Sequence, residues 1–325
     1  MRDGWNRATA LVELSKKEVQ ALLDPFLPDV KVIDVEPTVG GLANTNLKIR
    51  FAGDDEPLLL RFCIRDPSSV EREFRLLQLV EATVPVPRLC HFSKDNPING
   101  HPYILMQWVE GKRLESVVSN LNPADIAQLG ESLGQAMAGI HGFHFDQFGF
   151  FDEQLNISHP LEMGGEGLLA YVRECLASPI VKQRVDAQLS SKLLDFLDKQ
   201  GSLLDEWVGK PCLAHCDFNG SNILVNKTVN HWKVAAVLDW EFSFSGTPFF
   251  DFGNLLRAPV GALPGIEDFI ESGYKNSGGE LPREWRRMSK LTDLTAWVEF
   301  LTRETAGPQL ISDAISHISK TITEW

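Results

Sequence analysis

No stretch limits what this chain can fold into more than Leu213 to Asp251. It runs through Ala214-His215-Cys216-Asp217, four residues more, then Asn222 and the apolar run Ile223-Leu224-Val225. A polar turn over 226–230 leads to a second apolar run, Val234 to Leu238, and then to Asp239-Trp240-Glu241. Two short apolar runs around a turn predict a hairpin of buried strands. A tight loop before such a hairpin holds Asp217 and Asn222 near one point, and the end of the second strand brings Asp239 to the same point. Glu241 lies two residues past Asp239, so along an extended segment it shares that face. The structural alternative is a plain loop, because Asn and Gly are common in turns and Asp239 could cap the next element.

These residue types suit phosphoryl transfer, which asks for positioning and charge neutralisation more than covalent chemistry. One carboxylate must orient a hydroxyl and take its proton, and hard oxygen ligands must hold Mg²⁺ against the phosphates. Kinases use an Asp, an Asn a few residues on, and a metal-binding Asp after a hairpin. Here those are Asp217, Asn222 and Asp239.

The combination of His215-x-Asp217-x-x-x-x-Asn222, Leu238-Asp239-Trp240-Glu241 and Gly246-x-Pro248-x-x-Asp251 resembles the aminoglycoside phosphotransferase and choline kinase superfamily. Those are small-molecule kinases with the protein-kinase-like fold, and the resemblance extends in weaker form over most of the chain. It implies an α+β, two-lobed fold: a small antiparallel-sheet N-lobe over 1–106, a hinge over 107–111 and a mainly helical C-lobe over 112–325. ATP is implied to bind between the lobes. Asp217 would orient and deprotonate the acceptor hydroxyl, Asn222 and Asp239 would hold Mg²⁺, and His215 would brace Asp217. Glu241 would either add to the metal shell or contact the acceptor.

The first hundred residues supply the nucleotide side. Ser15 to Leu23 predicts a helix capped by Ser15. Lys31 to Val35 and Leu47 to Phe51 read as strands around Gly40-Gly41-Leu42-Ala43-Asn44. Such a glycine tip lets backbone N–H groups approach phosphates, although many Gly-Gly tips are plain turns. Leu58 to Phe62 is the third strand, where kinases place a phosphate-touching cation; Arg61 takes that position, with Arg65 as the near competitor. Val70 to Glu81 is amphipathic. By resemblance a Glu on this helix pairs with the strand cation, and Glu73 within Arg72-Glu73-Phe74-Arg75-Leu76-Leu77 fits, with Glu71 as the alternative. Gln107 is implied to offer its carbonyl and Val109 its N–H to adenine, with Met106 at the back of that pocket.

Asp251-Phe252-Gly253 spells the metal triplet of protein kinases. Asp239 emerges directly from the hairpin, so it is the expected metal ligand. Asp251 opens the apolar run Phe252 to Leu256, where an Asp makes a good N-cap, and the family's Asp at this position braces the catalytic loop. Pro123 to His141 predicts a long helix, with His141 as a structural residue. Trp285, Trp297, Glu299 and Phe300 could form a pocket for a cation, but Trp297, Phe300 and Leu301 have the spacing of a core stripe.

Charge sets the expected partner class. The net charge of −13 disfavours nucleic acid and anionic membranes and fits a cationic acceptor, so a hydroxylated amine is expected. No apolar run approaches membrane-spanning length and no long apolar stretch comes after the basic N-terminal residues. The cysteines, Cys63, Cys90, Cys175, Cys212 and Cys216, are odd in number and scattered, which fits reduced thiols in a cytoplasm. Cys212, His215 and Cys216 could begin a zinc site, but no fourth ligand is evident. No obligate protein partner is evident either. Choline-, ethanolamine-, homoserine- or sugar-type kinases and a catalytically silent nucleotide-binding pseudokinase stay open as alternatives.

Overall fold

The computed structural model describes residues 11–38, 44–53, 56–229 and 231–325. The Gly40-Gly41 tip therefore lies outside the described residues. The cap expected at Ser15 begins the first helix, α1 (Lys16–Leu23): Ser15 Oγ accepts from Glu18 N–H, and Glu18 accepts from Ser15 N–H at 2.8 Å. This reciprocal pair satisfies two N–H groups that a helix start leaves open.

α1 lies on an antiparallel sheet of β1 (Val32–Pro37), β2 (Thr45–Phe51), β3 (Leu58–Phe62), β4 (Leu89–Ser93) and β5 (Tyr103–Gln107), in the order β1-β2-β3-β5-β4. Arg61 pairs with Asn46 on one side and Ile104 on the other; Leu59 pairs with Lys48 and Met106. Directly paired residues face the same way and alternate residues face the opposite way. One face, with Leu47, Leu60, Phe62 and Leu105, is buried against Val19, Leu22 and Leu23 of α1. The other carries Asn46, Lys48, Arg61 and Met106 toward α2 (Ser69–Val80) and the rest of the chain. Strand alternation alone thus delivers Arg61 to the inner face.

The hairpin expected from the two apolar runs is present. β6 (Lys112–Arg113) pairs with β10 (Ile223–Thr228), which pairs with β11 (His231–Val237). A second small sheet is formed by β7 (Gly149–Phe151), β8 (Ile157–Pro160), β9 (Cys212–Ala214) and β12 (Phe244–Gly246), in the order β8-β7-β12-β9. The helices α3 (Leu114–Val117), α4 (Pro123–His141), α5 (Gly164–Ala177), α6 (Pro179–Arg184) and α7 (Ala187–Gln200) precede the hairpin or flank it. After it come α8 (Phe249–Leu255), α9 (Ile266–Asn276), α10 (Trp285–Thr302) and α11 (Pro308–Thr323). Trp285 and Trp297 are both buried in hydrophobic clusters of this helical part, so they belong to the core. Among the described residues no helix is long and apolar enough to cross a membrane.

The helix pair α4 and α9 packs backbone against backbone. The two approach so closely that a Cβ on Gly134 would meet Ile270 O at 2.1 Å and Tyr274 N at 2.5 Å. This approach seats His141, the last residue of α4, against Tyr274 of α9, with Nδ1 3.0 Å from the phenol oxygen. Helix propensity alone favours Gly134→Ala by about 1 kcal/mol, but overpacking against backbone that cannot swing aside costs about 1–3 kcal/mol or more. Gly134→Ala is expected to lower stability by up to about 2 kcal/mol in urea denaturation, the difference of these terms. Higher stability would mean the helices are not in this contact.

Candidate active site

The loop between β9 and β10 is braced from beneath. Asp251, fully buried on the first turn of α8, accepts from the backbone N–H of His215 at 2.9 Å and of Cys216 at 2.8 Å. Its Oδ2 also meets His141 Nε2 at 3.0 Å. The partners fix the direction of this chain. The carboxylate accepts from His141 Nε2–H, so His141 Nδ1 accepts from the Tyr274 hydroxyl. Burial pushes the Tyr274 phenol up, so it keeps the proton it donates. The N-cap expected at Asp251 is not formed: Pro248 occupies the cap position, and the Asp251 carboxylate points at the loop instead. His141 is structural, as expected. His215 braces from within the loop. Its Nδ1 accepts from Asp217 N–H at 3.2 Å, which leaves Nε2–H to donate to Leu238 O at 3.1 Å.

On this support stands Asp217. Its Oδ2 accepts from Asn222 Nδ2 at 2.7 Å, and its Oδ1 accepts from Asn219 Nδ2. Asn222 also donates to Asp217 O at 3.0 Å, so its own Oδ1 keeps only a long contact of 3.4 Å from Ser221 Oγ. Sequence reasoning missed Asn219. The available signal was an Asn two residues after an Asp in a turn, where such side chains bond locally.

Arg61 faces this loop from the sheet. Its Nε lies 3.2 Å from Glu73 Oε1, and its Nη2 lies 2.6 Å from Asp239 Oδ1. Burial alone would lower its pKa; Glu73 and Asp239 outweigh burial and hold the guanidinium charged, well above its ordinary value. Glu71 pairs with Arg75 and Lys94 instead, so of the two candidates Glu73 meets Arg61. Asp239 adopts a left-handed φ of 69°, which side chains rarely take outside special turns. Glu241 accepts from Asn44 Nδ2 at 3.1 Å and lies 3.8 Å from Arg65. Burial, with Asp239 adding to it, pushes the Glu241 carboxyl up to about 7, against the pull of Arg61 and Arg65. Asn44 Oδ1 in turn accepts from Ile64 N–H at 2.9 Å, which ties Glu241 to the end of β3.

A cavity of about 820 Å³ joins these groups. Asn44, Arg61, Asp217, Asn222, Asp239 and Glu241 all border it, and so does Arg65. Glu73 stands behind Arg61, and His215 is buried beneath the loop. Met106, Gln107 and Val109 do not border this cavity, although Met106 shares the sheet face of Arg61. Asn46, which was not foreseen, lies on that face too and borders the cavity; its buried Oδ1 has no hydrogen-bond partner among the described residues. Of the tail residues considered as a pocket, Glu299 and Phe300 border the cavity while Trp285 and Trp297 do not. The zinc set is not formed, because among the described residues no three His, Cys, Asp or Glu side chains are grouped to hold a metal. Asp239 and Asn222 offer hard oxygens, which fit Mg²⁺ of the kind that shares its shell with phosphate oxygens and water.

Comparison with known proteins gives a consistent picture. The model of the Phosphotransferase enzyme family matches residues 34–291. Among curated proteins, the chain is 27% identical over 260 residues to acyl-CoA dehydrogenase family member 10 of Mus musculus, covering 76% of this chain and 22% of that protein. It is 26% identical over 190 residues to acyl-CoA dehydrogenase family member 11 of Rattus norvegicus, covering 57% of this chain and 22% of that protein. The matches thus span about a fifth of the length of these relatives. Among solved structures, the GDP complex of wild-type aminoglycoside 2'-phosphotransferase-IIIa is similar with a TM-score of 0.72 at 17% identity, over 96% of this chain and 99% of that one. A macrolide 2'-phosphotransferase from Brachybacterium faecium gives a TM-score of 0.63 at 20% identity, over 92% and 98%. The fold is therefore the two-lobed α+β architecture of these kinase-like enzymes.

The bracing at Asp251 separates two readings of that residue. A lost helix cap costs about 1 kcal/mol, whereas two buried loop N–H groups left unpaired cost about 1–3 kcal/mol each. Asp251→Ala is expected to cost about 3 kcal/mol or more in denaturant unfolding. A loss near that of a simple cap would show that the loop finds its own partners.

Proposed function

The chain belongs to the phosphotransferase enzyme family, and on that premise we propose that it is a small-molecule kinase that moves the γ-phosphoryl group of ATP, with Mg²⁺, to an acceptor hydroxyl. The observation that carries the reading is the single cavity bordered by Asp217, Asn222, Asp239 and Arg61. A similar fold solved as a GDP complex supports a nucleotide at this cleft.

In this reading the acceptor hydroxyl rests against the Asp217 carboxylate, which Asn219 and Asn222 hold in one orientation. The acceptor oxygen bonds to the γ-phosphorus, the bond from that phosphorus to the β,γ-bridging oxygen breaks, and ADP leaves. Asp217 takes the hydroxyl proton. Mg²⁺ held by Asp239 and Asn222 would neutralise charge on the phosphates. Arg61 presents a rigid fork of donors to the same oxygens, and Glu73 keeps that fork aimed. Glu241 and Asn44 link the metal side to the sheet. The nucleotide side is proposed as residues 1–106 with a hinge over 107–111, where Gln107 O and Val109 N–H read adenine and Met106 backs it. Residues 112–325 carry the acceptor side.

Removing a general base typically costs about 10²–10⁴-fold in rate. Asp217→Asn keeps the shape and one of the two amide contacts but removes the charge, so kcat should fall by about that factor while ATP still binds. A variant with near wild-type kcat would remove Asp217 from this role. Arg61→Ala is a poor probe, because it strands the buried Glu73 carboxylate, a loss of about 3–5 kcal/mol in stability. Arg61→Lys keeps the charge and loses the fork; it should fold, and its KM for ATP should rise. An unchanged KM would move the phosphate contact to Arg65, which borders the same cavity.

A further inference from the structure

The cavity does not end at the phosphate-side residues. Its lining continues into the second small sheet, α5, α8 and α10, and there the wall is aromatic. Phe150 of β7 and Phe244 of β12 stand with ring centres 5.5 Å apart, and Phe244 stands 4.9 Å from Phe250 of α8. Phe148 and Trp207 extend the same lining, 6.2 Å apart. Tyr171 of α5 and Phe300 of α10 border it as well. Met106, Gln107 and Val109, proposed above to read adenine, do not border this space.

Two carboxylates of this section, Glu299 and Asp205, have partners within the protein. Glu299 accepts from Arg303 Nε at 3.0 Å and 3.1 Å and from Nη2 at 2.7 Å. Asp205 Oδ1 accepts from Gly165 N–H at 2.9 Å, at the start of α5. Glu162 is exposed at the rim. By contrast, Phe150 is 50% exposed and Tyr171 is 38% exposed, with Phe244 buried behind them. Open apolar surface grouped in a concave wall gains free energy when an apolar body covers it.

We propose that the acceptor is an apolar alcohol: a neutral molecule with a hydrocarbon or aromatic body, seated on the Phe150–Phe244–Phe250 wall with its hydroxyl toward Asp217. The fate of the hydroxyl rests on the kinase reading, while the seating of the body rests on the wall alone. The step balances as for any such transfer, giving the phosphate monoester of the alcohol, ADP and one proton. The hydroxylated amine expected from net charge becomes the competing outcome. Its cation could use the ring faces and the exposed Glu162, whereas Glu299 and Asp205 already have partners.

The test uses 1-alkanols of rising length and amino-alkanols of equal length with the amine at the far end. Binding is followed by calorimetry without nucleotide, and turnover by ADP release with ATP and Mg²⁺. Each methylene buried on the wall should tighten alkanol binding about fourfold over several carbons. kcat/KM should rise in parallel, and the amino series should bind at least about tenfold more weakly at equal length, because an ammonium ion must be desolvated on an apolar wall. Phe150→Ala combined with Tyr171→Ala should flatten the slope with length. Affinity independent of length, tighter binding of the amino series, or an unchanged slope in the double variant would each overturn the proposal. Length-dependent binding with no ADP release from any alcohol would support the apolar site and refute the kinase reading on which its substrate role rests.

Discussion

The Arg61 guanidinium is where the sheet and the helical part of the chain meet chemically. It is buried between Glu73 on α2 and Asp239 after the hairpin, at 3.2 Å and 2.6 Å. A buried cation of this kind is tolerable only while its carboxylates are present, because desolvation otherwise exceeds any attraction. Arg61 therefore couples three elements: β3 carries it, α2 aims it, and the end of β11 receives it. In the proposed reaction the phosphates compete with Asp239 for the same donors. Mg²⁺ held by Asp239 and Asn222 would neutralise that carboxylate and leave the Arg61 donors to the phosphate oxygens.

Beneath this contact the loop is held by a relay that needs the whole helical part to be folded. Tyr274 donates to His141, His141 to Asp251, and Asp251 accepts from the two loop N–H groups. The relay exists because Gly134 lets α4 and α9 touch. A packing detail far from the cavity thus reaches the orientation of Asp217, and stability and chemistry are linked through one short chain of hydrogen bonds.

What could be read in the sequence depends on how local each feature is. The hairpin, the loop before it and the inward face of Arg61 depend on apolar runs, a turn and strand alternation, all visible within about ten residues. The brace at Asp251 follows the resemblance, while the cap expected there is not formed, because capping is a local guess and its partners lie 36 and 110 positions away. Choosing Glu73 over Glu71 came from resemblance, and the geometry explains it: Glu71 faces Arg75 and Lys94. Of the aromatic wall only Phe300 was legible as a pocket residue, because the other rings come one or two at a time from separate elements with no shared period. Trp297 lies in the core as its stripe spacing predicts, and Trp285 is buried on the same long helix.

The central claim is that Asp239 is the carboxylate through which Mg²⁺ joins ATP to this site. Calorimetric titration of ATP into the wild-type protein and Asp239→Asn, each with and without Mg²⁺, tests it directly. The account predicts that Mg²⁺ tightens ATP binding at least about tenfold in the wild type, a coupling of ordinary size, and that this gain vanishes in Asp239→Asn while metal-free ATP binding persists. A wild-type protein indifferent to Mg²⁺, or a variant that keeps the full gain, would contradict it.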